Sequence, residues 1–254
     1  LLDFLPHEWQ KLRYLEPFLG AGSLFFSLRP QRAVLADSND HLISCYEHVR
    51  DAPQLVGAYL REHVKKDSKS HYRDTRDLYN RSGPSAAQAA RFIYLNATCF
   101  NGIFRVNLKG EFNVPYGDKD NPILPSAEGL ASISALLKKA TLQSAGYGEV
   151  LAAAGDSDLA YLDPPYPPLN GTSYFTHYTS DRFSKADQVA LAKAVRVLDR
   201  KGVLVMMTNA ATREIRDLYK SFYQYPLSVT RWVSCKAKPY KVRELVITNY
   251  KVNL

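Results

Sequence analysis

Asp163, Pro164, Pro165 and Tyr166 put a carboxylate, a carbonyl of set direction and an aromatic face within four residues. Two proline rings hold φ near −65°, and Pro165 drives Pro164 out of the helical region, so the turn is stiff. Such a set suits a planar ring that carries an exocyclic amine: two oxygens accept its two N–H bonds while the tyrosine stacks on the ring. The preceding residues, 157–162, are short and mostly apolar and predict a buried strand with the acid at its tip. An ordinary strand end with a surface tyrosine is the alternative use of the same residues.

A second candidate lies near the start. Residues 13–18 predict a strand, followed by Gly20 and Gly22 and then an apolar helix start at Leu24-Phe25-Phe26. Glycines between a strand and a helix let the backbone approach a ligand closely. The third glycine of the dinucleotide fingerprint is absent, which argues against a nicotinamide cofactor. Residues 32–36 predict the second strand, ending on Asp37, where a carboxylate can accept from both hydroxyls of a ribose. Loop and acid together point to an adenosine-containing cofactor, although Asp37, Asn39 and Asp40 could equally cap the helix predicted over 40–49.

The third group is a hairpin predicted over 100–117, turning at Lys109-Gly110 and closed by Pro115-Tyr116-Gly117. Phe100 on an exposed turn could wedge between bases, and Arg105 could make a bidentate contact to guanine. A core phenylalanine and a solvated arginine are the competing uses. Near the end, Arg231, Lys236, Lys238, Lys241 and Arg243 cluster with Trp232 and Tyr240 among them, either as a polyanion contact or as a solvated loop.

Composition sets outer bounds. The chain has 254 residues, 46% hydrophobic and 23% charged, with a formal net charge of +8, so it is an ordinary globular protein whose charge permits nucleic-acid binding. No apolar run is long enough to span a membrane and no secretion signal is visible at the start. The chain begins at Leu1 rather than Met, so residues upstream are expected. Three scattered cysteines, Cys45, Cys99 and Cys235, outside any CxxC pattern argue against disulfides or a zinc centre. His63 and His71 sit on charged helix faces, where a solvated role is expected over a metal role.

Between these groups the periodicity predicts helices over 53–65, 71–80, 86–97 and 126–138, a strand over 140–144 and a short helix over 148–154. A helix over 184–200 capped by Ser184, a strand over 202–208, and a final antiparallel pair over 222–231 and 242–250 complete the chain. Strands alternating with helices, with a glycine loop first and an antiparallel end, describe a doubly wound α/β sheet. From Gly22 to Asp163 the chain is far longer than the ~60 residues that two βαβ crossovers need. The surplus predicts an inserted lobe of helices plus the hairpin. The expected division is a core over 1–52, a target-recognition insert over 53–138 and the rest of the core over 139–254.

Glu16-Pro17-Phe18-Leu19-Gly20-Ala21-Gly22, the acid at Asp37 and Asp163-Pro164-Pro165-Tyr166, in that order, closely resemble the S-adenosylmethionine-dependent DNA adenine-N6 methyltransferases of the DNA adenine methylase family, D12 class. The segment 100–117 resembles that family's target-recognition hairpin, and Tyr174 to Tyr178 and Lys241 to Leu245 extend the likeness, which covers about Tyr14 to Tyr250. The resemblance implies a Rossmann-like methyltransferase fold and methyl transfer from S-adenosylmethionine to N6 of a flipped-out adenine in double-stranded DNA, usually within GATC. It implies catalytic roles for Asp163, Pro164 and Tyr166, and cofactor contacts from Phe18, Gly20, Gly22, Asp37 and Asp163. DNA contacts fall to Phe100, Asn101, Arg105, Pro115, Lys236, Lys238 and Lys241, with Phe175 and Tyr178 as candidate walls of the base pocket. A metal-free monomer in the cytoplasm of a bacterium or in phage infection, associated with the nucleoid, is the implied setting, in restriction-modification or alone.

Three positions depart from the family pattern. Its N-terminal Lys-Trp-x-Gly-Gly-Lys segment is not in this chain, Gly146 stands where members often carry an Asp at the cofactor adenine, and Asp118-Lys119 replaces a frequent Arg-Tyr. The first two motivate one alternative, a DNA-binding protein with a weak or inactive site. Methylation of RNA or of a glutamine amide is the other, less suited to the long insert and to Asp rather than Asn at 163.

Overall fold

The computed structural model describes residues 1–118, 122–167, 183–231 and 240–253; the side chains of 231, 240 and 241 are not described. Contacts divide the chain into two compact units. The first takes the described residues of Leu1–Ser38, Ala145–Thr176 and Arg182–Leu254, the second those of Asn39–Ser144.

The first unit carries β1 (Arg13–Glu16), α1 (Ser23–Leu28) and β2 (Ala33–Asp37). After the second unit, the chain returns through α7 (Tyr147–Ala152), β4 (Asp158–Leu162), α8 (Lys185–Arg200), β5 (Leu204–Ala210), α9 (Arg213–Leu218), β6 (Tyr223–Arg231) and β7 (Tyr240–Thr248). Strand order within this unit is β2-β1-β4-β5-β7-β6. β2, β1, β4 and β5 are parallel, whereas β7 pairs antiparallel with both β5 and β6. β2, β4 and the first half of β5 read as mostly apolar runs, as expected of parallel strands covered on both faces. One core cluster gathers Leu15, Ala160, Leu162, Val205 and Met207 with Leu191, Val195 and Leu198 of α8. Arg13 donates to both carboxylate oxygens of the buried Asp158 at 2.8 Å, pinning β1 to β4.

This is a doubly wound α/β architecture, with the order reversing at β1. From β1 the chain first moves outward to β2 and later returns to β4 on the other side. The crevice outside the carboxyl ends of β1 and β4 is therefore the switch point where such sheets take ligands.

The second unit holds α2 (Asp40–Asp51), α3 (Pro53–Lys65), α4 (Lys69–Tyr79), α5 (Ala86–Thr98), α6 (Ala127–Leu137) and β3 (Ala140–Ser144). Side chains of Asn39, Ser68, Ser85 and Ser126 cap four of these helices. α2 packs against α3, α5 and α6 and so belongs to this unit. The expected boundary at 52/53 thus differs from the observed division after Ser38, because the apolar face of α2 is covered by helices of the insert.

Most elements fall within two residues of expectation, but two features differ. The polar α9 was not foreseen. The hairpin over 100–117 lacks a continuous ladder: Cys99↔Tyr116 and Val106↔Phe112 are isolated antiparallel bridges, with the 3₁₀ turn Phe100–Gly102 between Cys99 and Val106. Side chains outside the hairpin replace the missing rungs. Asn80 donates to the Phe112 carbonyl and accepts from the Phe112 N–H, and the Tyr72 hydroxyl donates to the Val114 carbonyl. Phe104 and Phe112 pack on each other at a tilt, Phe104 against Phe92 and Phe112 edge-on to Tyr79, burying one face of the hairpin.

Where the arms close, the Gly117 N–H donates to the Thr98 carbonyl at 2.8 Å. A Cβ at Gly117 would lie 2.6 Å from the Cys99 carbonyl oxygen, so the strands approach too closely for any side chain. Gly117→Ala is expected to cost roughly 1–3 kcal/mol of stability through this backbone clash, read as a lower urea midpoint at unchanged slope. An unchanged midpoint would show that the closure relaxes freely.

Candidate active site

β4 ends at Leu162, and the chain leaves the sheet through Asp163, Pro164, Pro165 and Tyr166 at the carboxyl edge. Asp163 is exposed, Pro164 buried and Tyr166 half-buried. Tyr161 and Asp163 share a face of the strand by the period-two rule, and both reach Thr208 on β5. The Thr208 hydroxyl donates to Asp163 Oδ1 at 2.6 Å, so the Tyr161 hydroxyl, 3.2 Å from Thr208 Oγ1, donates to it in turn. The Tyr166 hydroxyl donates to Glu244 Oε2 of β7 at 3.2 Å. Burial and the neighbouring Asp163 push the Tyr166 phenol far above its ordinary range, so it stays a neutral donor.

Beside this turn, the loop after β1 contributes Glu16 to Gly22. Gly20 and Gly22 both have positive φ, at 47° and 62°, which side chains disfavour. At Gly22 a Cβ would also meet the Phe26 ring at 3.0 Å. The Gly20 N–H donates to Asp37 Oδ2 at 3.0 Å, and Asn39, rather than Asp37, caps α2 by accepting from the Leu42 N–H. Phe18 stacks on Tyr147 with ring centres 5.2 Å apart and meets Phe183 edge-on at 5.9 Å. One sheet edge therefore joins the acid turn, the glycine loop, Asp37 and an aromatic wall.

Glu16 is buried beneath this edge, and the Tyr14 hydroxyl donates to its Oε2 at 2.8 Å. Burial, with Asp163 adding to it, pushes its carboxyl up to about 8. The site thus keeps a neutral acid under an exposed one at neutral pH.

In the second unit Phe100 is 54% exposed, and its N–H donates to the Pro115 carbonyl at 2.9 Å. Asn101 has φ 56° and Arg105 is exposed, with its Nε donating to Asn113 Oδ1 at 2.9 Å. The structure brings Phe100, Asn101 and Pro115 to one end of the hairpin and leaves Arg105 projecting from its solvent face. Lys119, Phe175, Tyr178, Trp232, Cys235, Lys236 and Lys238 lie outside the described residues, as does the side chain of Lys241.

A family model described as the D12 class N6 adenine-specific DNA methyltransferases matches residues 1–233. The chain belongs to this family. A type II methyltransferase of Lactococcus lactis subsp. cremoris is 40% identical over 93% of this chain and 86% of its own length. A type II methyltransferase of Methanocaldococcus jannaschii is 35% identical over 94% and 88%, and a DNA adenine methylase of Escherichia coli 33% identical over 99% and 91%. The protein is thus an adenine-specific DNA methyltransferase, an enzyme that needs a methyl donor and DNA. Among the described residues, no helix is long and apolar enough to cross a membrane, and no group of three or more His, Cys, Asp or Glu could hold a metal ion.

Several residues around the turn were missed in the sequence. Thr208 and Asn209 carried a signal, being the first polar pair after the apolar run 203–207 at a strand's carboxyl end. Glu244 and Gln188 carried none, because their partners lie on elements distant in the chain, and the Tyr14–Glu16 contact, two residues apart on β1, gains its meaning from the burial of that strand.

Glu16 also links the site to stability. The fold holds its carboxyl neutral up to about pH 8, whereas the unfolded chain ionises it near its ordinary 4.5, so the folded state binds the extra proton. The stability it contributes is complete below about pH 4.5 and lost as pH rises to about 8. Urea titrations across this range should show that decline for the native enzyme and a flatter profile for Glu16→Gln; parallel profiles would place an ionised Glu16 in the fold.

Proposed function

We propose that this methyltransferase transfers a methyl group from S-adenosylmethionine to N6 of an adenine flipped out of double-stranded DNA, within GATC. The observation that carries the reading is the convergence, at the switch point between β1 and β4, of Asp163, the Pro164 carbonyl and Tyr166 with the glycine loop and Asp37. The residues fit the cofactor: glycines at positive φ permit close backbone approach, Asp37 stands where a ribose diol is held, and Phe18 with Tyr147 offers an apolar wall. When bound, the sulfonium supplies an electrophilic methyl group.

The chain's own residues do the rest. Tyr166, anchored by its hydroxyl on Glu244, stacks on the adenine ring. Asp163, aimed by Thr208, and the Pro164 carbonyl accept the two amino hydrogens, which turns the nitrogen lone pair out of conjugation and towards the methyl group; as nitrogen takes the methyl and the neutral thioether S-adenosylhomocysteine is left, the surplus amino proton passes through Asp163 to solvent. Rate comes from placement and a fixed field rather than from a covalent intermediate. Phe100 wedges into the duplex, Arg105 reads a guanine, Pro115 lines the same surface, and Asn101 with Lys236, Lys238 and Lys241 holds phosphates. The exposure of Phe100 and Arg105 favours these roles over core packing or a salt bridge within the lobe.

The test is transfer of labelled methyl from S-adenosylmethionine to duplexes with and without GATC. N6-methyladenine confined to GATC is expected; label on adenine elsewhere would discard the target, and binding without label would make this a DNA reader with an inactive site. Asp163→Ala should abolish transfer and leave duplex affinity intact. Arg105→Ala should relax discrimination at one base pair, by roughly 1–3 kcal/mol, whereas equal losses on all sequences would make Arg105 a phosphate contact.

A further inference from the structure

The two prolines of the turn have no N–H, so the backbone of Asp163 to Tyr166 cannot be secured by donors of its own at those positions. Its carbonyls need donors from elsewhere. On β5, Thr208 and Asn209 are consecutive and therefore point to opposite faces of the sheet. Thr208 holds the Asp163 carboxylate from one face. From the other face, Asn209 Nδ2 donates to Gln188 Oε1 at 3.2 Å, and Gln188 Nε2 donates to the Pro165 carbonyl at 3.0 Å.

Both amides are buried, Asn209 at 0% and Gln188 at 4% exposure, and their direction is determined. The Ala210 N–H, which can only donate, is 2.8 Å from Asn209 Oδ1, so the Asn209 amide must turn its NH₂ towards Gln188. Gln188 must then present oxygen to Asn209 and NH₂ to Pro165. A one-way relay runs from a backbone donor on β5 to a backbone acceptor in the turn. Ser184 and Asp187, which exchange hydrogen bonds at the start of α8, anchor the helix turn that carries Gln188.

We propose that Gln188 and Asn209 are positioning residues for methyl transfer. Holding the Pro165 carbonyl orients the peptide plane that enters Tyr166 and, through the locked proline φ, the Pro164 carbonyl before it. The inference rests on the reading of Asp163 to Tyr166 as the catalytic turn. Neither side chain need touch adenine or cofactor, and Gln188 was not signalled by the sequence.

The experiment compares Gln188→Glu and Gln188→Met with the native enzyme in the full chain, measuring kcat and KM for duplex DNA between pH 6 and 9. An ionised glutamate still accepts from Asn209 but faces the Pro165 carbonyl with no hydrogen; protonated, it regains the donor. Gln188→Glu should therefore approach native kcat at the acid end and fall roughly tenfold to a hundredfold below it at the alkaline end, the worth of one buried hydrogen bond. Taking the ratio to the native enzyme cancels the titration of Glu16. Gln188→Met, which fills the space without a donor, should show the loss at every pH, with KM for DNA little changed in both variants. Native kcat in both variants, or a deficit in Gln188→Glu that does not depend on pH, overturns the relay. Asp163→Ala run alongside separates the two readings: if it turns over normally the catalytic turn is misassigned, whereas an inactive Asp163→Ala beside fully active Gln188 variants rejects the relay alone.

Discussion

A turn built on two consecutive prolines is stiff in φ but poor in donors, and that single constraint organises the carboxyl edge of the sheet. Asp163 to Tyr166 is held by side chains that arrive from three other elements: Thr208 on β5, Gln188 on α8 and Glu244 on β7. Each is buried or partly buried, so each hydrogen bond is made where water competes poorly. The antiparallel β7, inserted beside β5, matters here because it brings Glu244 within reach of Tyr166. An open parallel sheet ending at β5 would leave that phenol without this partner.

The neutral carboxyl of Glu16 follows from the same economy of charge. An exposed acid at Asp163 and a second ionised acid in the buried layer beneath it would repel each other in a poorly solvated place. Burial leaves Glu16 protonated, with Tyr14 as its donor, so the edge carries its negative charge at the surface. Tyr14 and Glu16 thus form a packed, uncharged layer below Asp163, and the alkaline side of neutrality is where this layer begins to change.

The second unit solves a different problem. A short hairpin whose strands form only isolated bridges cannot be stable alone. Its inner face is aromatic and packs on α4 and α5, while Asn80 and Tyr72 supply the hydrogen bonds that a ladder would have provided. The outer face is thereby released from structural work and can present Arg105, Phe100 and Pro115 to solvent. Close backbone contact at Gly117 draws the two arms together at the base, where a side chain would hold them apart.

Much of this was legible in the residues alone. Apolar runs and their periods located the helices and nearly all the strands, since burial on both faces or on one is written into local composition. Glycines at 20 and 22, the acid at 37 and the proline pair after a core strand stood out in the sequence and meet at one edge of the sheet, because backbone freedom, charge and rigidity are properties of single residues. What tertiary structure decided is which groups meet across long gaps in sequence. Glu16 under Asp163, Thr208 against Asp163, and Asn209 through Gln188 to Pro165 arise only when strands pair in the order β2-β1-β4-β5-β7-β6. The hairpin's missing ladder and the assignment of α2 to the insert are of the same kind. Local pattern reports what a residue can do, whereas hydrogen-bond partners and burial, and with them the charge state of Glu16, depend on neighbours that only the folded sheet supplies.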